Sequence, residues 1–199
     1  LRSANERAET CATAQALVRE GARVAIGDIH GELAQETATE PGPNATAFSV
    51  DVTDRDSFTR FLDDVEAQVG PLDVIVNNAG IMPLGRFADE DDVIAMRMID
   101  INVHGVLLGM KLAIPRFERR GTGHIVNIAS QAGKAGFPGG ATYCATKHAV
   151  VGVSEAVRAE LRGTDIEVSC VMPAVVNTEL AHGLKEARGV KTLEPEDVV

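Results

Sequence analysis

The chain has 199 residues, 45% of them hydrophobic and only 4% aromatic, with a formal net charge of −10. That length corresponds to about one domain, and this apolar fraction excludes a disordered chain, since roughly 70% of the unfolded surface could be buried. An acidic surface repels phosphate backbones and anionic lipid, which argues against nucleic-acid and membrane-surface partners.

The first residues, Leu1 to Arg7 (LRSANER), hold no apolar core, so a signal peptide is not expected. No apolar run reaches the ~20 residues of a membrane span either. Thr10–Glu20 carries apolar residues at helical spacing, and Gly21 stands where a left-handed cap is wanted. RVAIG (23–27) and ATAFS (45–49) read as buried strands. Arg55–Val69 is helical and is followed by a second capping glycine, Gly70. DVIVN (73–77) is the next strand, and a long helical stretch then runs from Asp91 to Arg119, its end marked by the basic residues of 116–120. HIVNI (124–128), a helix over Ala141–Leu161 and a strand EVSCV (167–171) complete the pattern. Strands separated by helices imply right-handed crossovers and a parallel sheet covered on both faces. The expectation is therefore one doubly wound α/β domain over residues 1–199. Cys11, Cys144 and Cys170 show neither metal-ligand spacing nor obvious pairing, as expected for reduced thiols in a cytoplasmic protein. The five histidines form no metal pattern, and no metal is expected.

In such sheets ligands bind beyond the carboxyl ends of the strands. Ser130 follows the HIVNI strand, and thirteen residues later Tyr143 and Lys147 stand four apart at the start of a helix, on one face. A phenol titrates near ~10 and is a poor base at neutral pH. A nearby ammonium and a helix N-terminus both favour the phenolate, and a serine hydroxyl opposite could hold a substrate oxygen. Together they make a proton-transfer device for an alcohol. A tyrosine and lysine at this spacing also occur often by chance, so the pair carries weight only with its surroundings.

Those surroundings are Asn77-Asn78-Ala79-Gly80 after a strand, Asn102 within a helix, Ser130, the Tyr143/Lys147 pair, and Pro173-Ala174-Val175-Val176-Asn177-Thr178 after another strand. In order and spacing, from about Ala12 to Val199, they resemble the short-chain dehydrogenase/reductase family. The resemblance implies a Rossmann-like parallel sheet and an NAD(H)-dependent interconversion of a secondary alcohol and a ketone. Tyr143 would be the general acid/base, and Lys147 would lower its pKa and hold the nicotinamide ribose. Ser130 would orient the substrate carbonyl, and Asn102 would bind a water that passes the proton onward. Asn77, Ala79 and Gly80 would support the sheet and approach the adenosine side, with Asp51 and Val52 at the adenine. Pro173, Val176 and Thr178 would border the nicotinamide, Thr178 at its carboxamide. Ala174 stands where the family usually has glycine. Asp28, after RVAIG, would accept from the ribose 2′-hydroxyl of NAD and repel the 2′-phosphate of NADP. Met82, Gln131, Phe137 and the 179–193 segment would line a moderately apolar pocket. A homodimer or homotetramer follows by resemblance alone.

One family feature is missing. Where a strand and a glycine-rich phosphate turn should open the first helix, the aligned residues 3–10 (SANERAET) contain no glycine, and Glu6 and Glu9 stand at a site meant for an anion. The expectation is a sheet lacking its first strand, and its last as well. Strands are ~4.8 Å apart, so such a loss would leave a gap of about two spacings beside unpaired edges. Three functions follow from these residues: the oxidoreductase; a catalytically silent relative or fragment that binds no dinucleotide; and an epimerase or dehydratase. The last is disfavoured, because its relatives need a larger C-terminal substrate region.

Overall fold

The computed structural model describes the backbone of residues 4–174 and the side chains of residues 10–174. Within them lie two compact units, residues 4–71 and Leu72–Ala174.

The first unit contains α1 (Ala4–Arg19), β1 (Val24–Asp28), α2 (Gly31–Thr39), β2 (Ala45–Ser49) and α3 (Arg55–Gln68). β1 and β2 pair in parallel, from Val24 opposite Ala45 to Asp28 opposite Ser49. Ala14, Ile26 and Ala38 form a small core against Val24, Ala45 and Ala47. Gly21 and Gly70 do close their helices with positive φ, 90° and 132°. Asp54 caps α3 by accepting from the Ser57 N–H at 2.6 Å.

Two features of this unit differ from the sequence reading. The glycine-free segment aligned with the phosphate turn is helical from Ala4 onward; its alanines, glutamates and arginine are good helix formers. The second is α2, which was not expected. It buries only Ala34, Thr37 and Ala38, side chains too small or too polar to draw an apolar stripe.

The second unit contains β3 (Val74–Asn77), α4 (Asp92–Ile99), a π-helical segment (Asp100–His104), α5 (Gly105–Arg120), β4 (Gly123–Ile128), a 3₁₀ turn (Gln131–Gly133), α6 (Ala141–Glu160) and β5 (Ile166–Val171). Its sheet is parallel in the order β3-β4-β5. Among the described residues no strand pairs β1 with β3, so the five strands form two sheets. Burial alternates along β3 and β4. Ile75, Ile125 and Val168 are at most 7% exposed, whereas Val74 and Val76 are 44% and 36% exposed. Successive residues point to opposite sides of a sheet, and α5 and α6 pack on this one.

The expected long helix is broken into α4 and α5 by the π-helical segment, where the Gly105 N–H reaches back to Asp100 O. The whole run, Asp92–Arg120, is long and apolar enough by length and composition to cross a membrane, which the sequence reading did not anticipate. In this fold it is a core helix: Val106, Leu108, Met110, Leu112, Ala113 and Phe117 are all buried.

Candidate active site

The residues singled out from the sequence fall in both units. In the second unit, β4 ends at Ile128 and Ser130 follows in extended conformation. The Ser130 hydroxyl accepts the Ala132 N–H at 3.1 Å, which shapes the 3₁₀ turn and leaves the hydroxyl proton to donate. That turn sits hard on α6: a Cβ on Gly133 would lie 2.7 Å from Lys147 O and 2.9 Å from a Val151 methyl. Only glycine permits this approach. The turn therefore brings Ser130 to the start of α6, and Ala132 packs in one cluster with Tyr143, Cys144 and Met98.

Tyr143 and Lys147 lie one turn apart on α6 and are both buried, 7% and 6% exposed. A buried lysine needs partners. The Lys147 Nζ donates to Ile128 O at 2.9 Å and lies 5.7 Å from the Tyr143 ring centroid. One cation is thus tied both to the strand end before Ser130 and to the phenol. Phe137 tilts against Tyr143 with ring centroids 6.4 Å apart, and Ile81 and Met82 close the same apolar cluster. Gln131 is anchored by its N–H to Pro173 O at 2.9 Å, which fastens Pro173 beside the Ser130 turn.

Asn102, in the π-helical segment, is 1% exposed. Its Oδ1 accepts the Ile81 N–H at 2.7 Å, and its Nδ2 donates to Ile81 O at 2.9 Å and to the Thr146 hydroxyl at 3.1 Å. Both amide protons are therefore used. Asn77 is a buried structural residue: its Nδ2 donates to Asn127 Oδ1 at 2.8 Å, and Asn127 donates on to Ser154 Oγ at 2.9 Å. Gly109 on α5 approaches the Asn77 amide too closely to accept any Cβ. Ala79 and Gly80 follow in the loop after β3, with Gly80 buried.

Asp28 and Asp51 lie in the first unit, at the carboxyl ends of the paired strands β1 and β2. Asp28 Oδ1 accepts the His30 N–H at 2.7 Å. Asp51 Oδ1 accepts the Thr53 N–H and hydroxyl at 2.9 and 2.7 Å, with Val52 half-buried between them. A carboxylate offers about four acceptor positions, so both keep capacity for a ligand hydroxyl or amine. These acceptors suit the hydroxyls and amine of an adenosine, whereas the glycine-free start of α1 does not resemble a pyrophosphate cradle. Val176 and Thr178 lie outside the described residues. Cys144 is buried at 5%, and no group of three or more possible metal ligands occurs among the described residues.

Residues 10–189 match the family model described as short chain dehydrogenase. The chain belongs to the short-chain dehydrogenase family. It is 40% identical over 169 residues to a sorbitol dehydrogenase of Cereibacter sphaeroides, covering 84% of this chain and 66% of that one. It therefore spans just under two thirds of that relative's length. It is 39% identical over 163 residues to a protein of Xanthobacter autotrophicus named inactive 2-(S)-hydroxypropyl-CoM dehydrogenase 2, covering 82% and 71%. The fold is similar to that of serine dehydrogenase from Escherichia coli, with a TM-score of 0.81 and 30% identity over 94% of this chain and 81% of that one.

The sequence reading missed Thr146, Asn127 and Ser154, which hold the named residues in place. Asn127 had a visible signal, a polar residue inside the apolar run HIVNI. Thr146 and Ser154 had none, since a hydroxyl on a helix most often faces water or its own backbone.

Proposed function

We propose that this chain carries the reactive centre of an NAD(H)-dependent oxidoreductase interconverting a secondary alcohol and a ketone. The observation that carries this reading is the buried Lys147, bonded to Ile128 O at 2.9 Å and set 5.7 Å from the Tyr143 ring. An ammonium so held favours the phenolate form of Tyr143. When bound, a nicotinamide dinucleotide supplies or accepts the hydride. The Tyr143 phenolate takes the proton from the alcohol oxygen, and in the reverse direction the Tyr143 phenol gives it to the ketone oxygen. The Ser130 hydroxyl donates to that same oxygen and orients it. Asn102, buried and bonded through its side chain to Ile81 and Thr146, would hold a water that carries the proton onward. Lys147, Pro173, Val176 and Thr178 would hold the nicotinamide end, Ala79 and Gly80 would approach the adenosine side, and Asp51 and Val52 the adenine. Asp28 would accept from the ribose hydroxyls and repel a 2′-phosphate, which selects NAD over NADP. We further read the chain as a single dinucleotide-binding domain that forms a homo-oligomer in the cytoplasm and acts on a small molecule rather than on nucleic acid or membrane. Free cysteines and the charge of −10 support this setting.

A second reading has its own support. The segment aligned with the phosphate turn has no glycine and is helical from Ala4, and one relative is named inactive. Such a chain would keep the scaffold without binding dinucleotide. Fluorescence titration of the folded chain with NADH and NADPH separates the two. Saturable binding that favours NADH supports the oxidoreductase; a folded chain that binds neither supports the silent scaffold.

A further inference from the structure

We propose that Thr146 is a positioning residue for Tyr143: its buried hydroxyl, held between the Asn102 amide and the Tyr143 carbonyl, fixes the first turn of α6 against the π-helical segment. Thr146 is 2% exposed. Its hydroxyl donates to Tyr143 O at 2.7 Å and accepts from Asn102 Nδ2 at 3.1 Å. A hydroxyl has one proton to give, so the direction of this chain is fixed. Ile81 engages the other end of the Asn102 amide in both directions, at 2.7 and 2.9 Å. The Asn102 amide joins the loop after β3 to the π-helical segment, and the Thr146 hydroxyl joins that segment to the turn that carries Tyr143 and Lys147.

The consequence follows from geometry. Phenolate stabilisation by Lys147 falls with distance and with entry of water. α6 has no side-chain N-cap at Gly140, so bonds from its own side chains to neighbouring segments hold its start. Thr142 donates to Glu90, Lys147 donates to Ile128 O, and the Thr146 hydroxyl accepts from Asn102 of the π-helical segment. Replacing it with a methyl leaves a buried Asn102 N–H without an acceptor, and the turn shifts to find one.

The chain provides its own reporter. Tyr143 is its only tyrosine, and it has no tryptophan. The near-ultraviolet absorbance of tyrosinate in a pH titration therefore reads this one residue, without substrate or cofactor. Circular dichroism recorded at each pH defines the range over which the chain stays folded. The inference rests on the Tyr143–Lys147 reading above, so Lys147→Met is titrated beside the Thr146 variants. Thr146→Val and Thr146→Ala are expected to raise the midpoint by about half a pH unit or more, toward the ordinary phenol value near ~10. Thr146→Ser, which restores the hydroxyl, should stay within about 0.2 units of the parent. If Thr146→Val does not fold, the Ser and Ala variants decide, because they differ only by the oxygen. Folded Ser and Ala variants that titrate together, while Lys147→Met moves the midpoint up, would overturn the role of Thr146 alone. An unmoved midpoint in folded Lys147→Met would overturn the underlying Tyr143–Lys147 reading.

Discussion

Residues 72–174 and residues 4–71 treat their polar groups differently. In the second unit the polar side chains of the candidate site are buried and joined. Asn77, Asn127 and Ser154 form one chain of hydrogen bonds, and Asn102, Thr146 and Ile81 form another. Lys147 is buried and bonded to Ile128 O. In the first unit Asp28 and Asp51 stand at strand ends, each bonded to its own turn two residues on. A buried network loses more than one bond when one member is removed, because the remainder stays desolvated. A carboxylate at a strand end loses only what it contacts. Substitutions in the second unit should therefore reach the chemistry or the fold, while those in the first should tune affinity.

The largest effect should come from Lys147→Met, expected to lower turnover by about 10²–10⁴-fold, as loss of proton-transfer assistance does. Steady-state rates measured across pH check it; a variant within tenfold of the parent would remove the main contrast between the units. Next comes packing. Gly109→Ala drives a methyl into the Asn77 amide, and its expected cost is about 1–2 kcal/mol after the helix-propensity gain of alanine. Gly27→Ala in the first unit meets a Val50 methyl at 2.6 Å. That methyl can turn aside, so about half the cost is expected. Urea unfolding of the two variants compares them directly; a costlier Gly27→Ala would reverse the picture. Asp28→Ala should narrow the preference for NADH over NADPH by roughly tenfold, with little change in turnover, as measured by titration with each nucleotide. The smallest effect is expected at Arg86, which meets Asp89 at 3.4 Å with both side chains exposed. Arg86→Ala should change unfolding stability by no more than about 0.5 kcal/mol.

How much of this was legible from sequence depends on side-chain size and spacing. All five strands were visible because their β-branched runs are bounded by turn residues, and the family followed from motifs in order along the chain. α2 escaped because alanine and threonine bury too little to mark a face. The break in the long helix escaped because one extra residue in a turn barely disturbs helical periodicity. Alternation in β3 was hidden because its exposed positions hold Val74 and Val76, as apolar as the buried Ile75 between them. At the candidate site, the residues named from motifs lie at the ends of strands, in the π-helical segment and at the start of α6. The hydroxyls and amides that hold them carry no such motif, and only their partners reveal them. Helicity from Ala4 was masked by the expectation of a glycine turn, although the glutamates and alanines there already favoured a helix.

The proposed function stands on Tyr143, held by Lys147, transferring the substrate proton. An assay of the folded chain with NAD and a panel of secondary alcohols, beside Tyr143→Phe, tests this. The account predicts NADH formation by the parent chain, and its loss in Tyr143→Phe while NADH binding persists. Equal turnover by the two chains, or nucleotide binding without turnover across the panel, would contradict it.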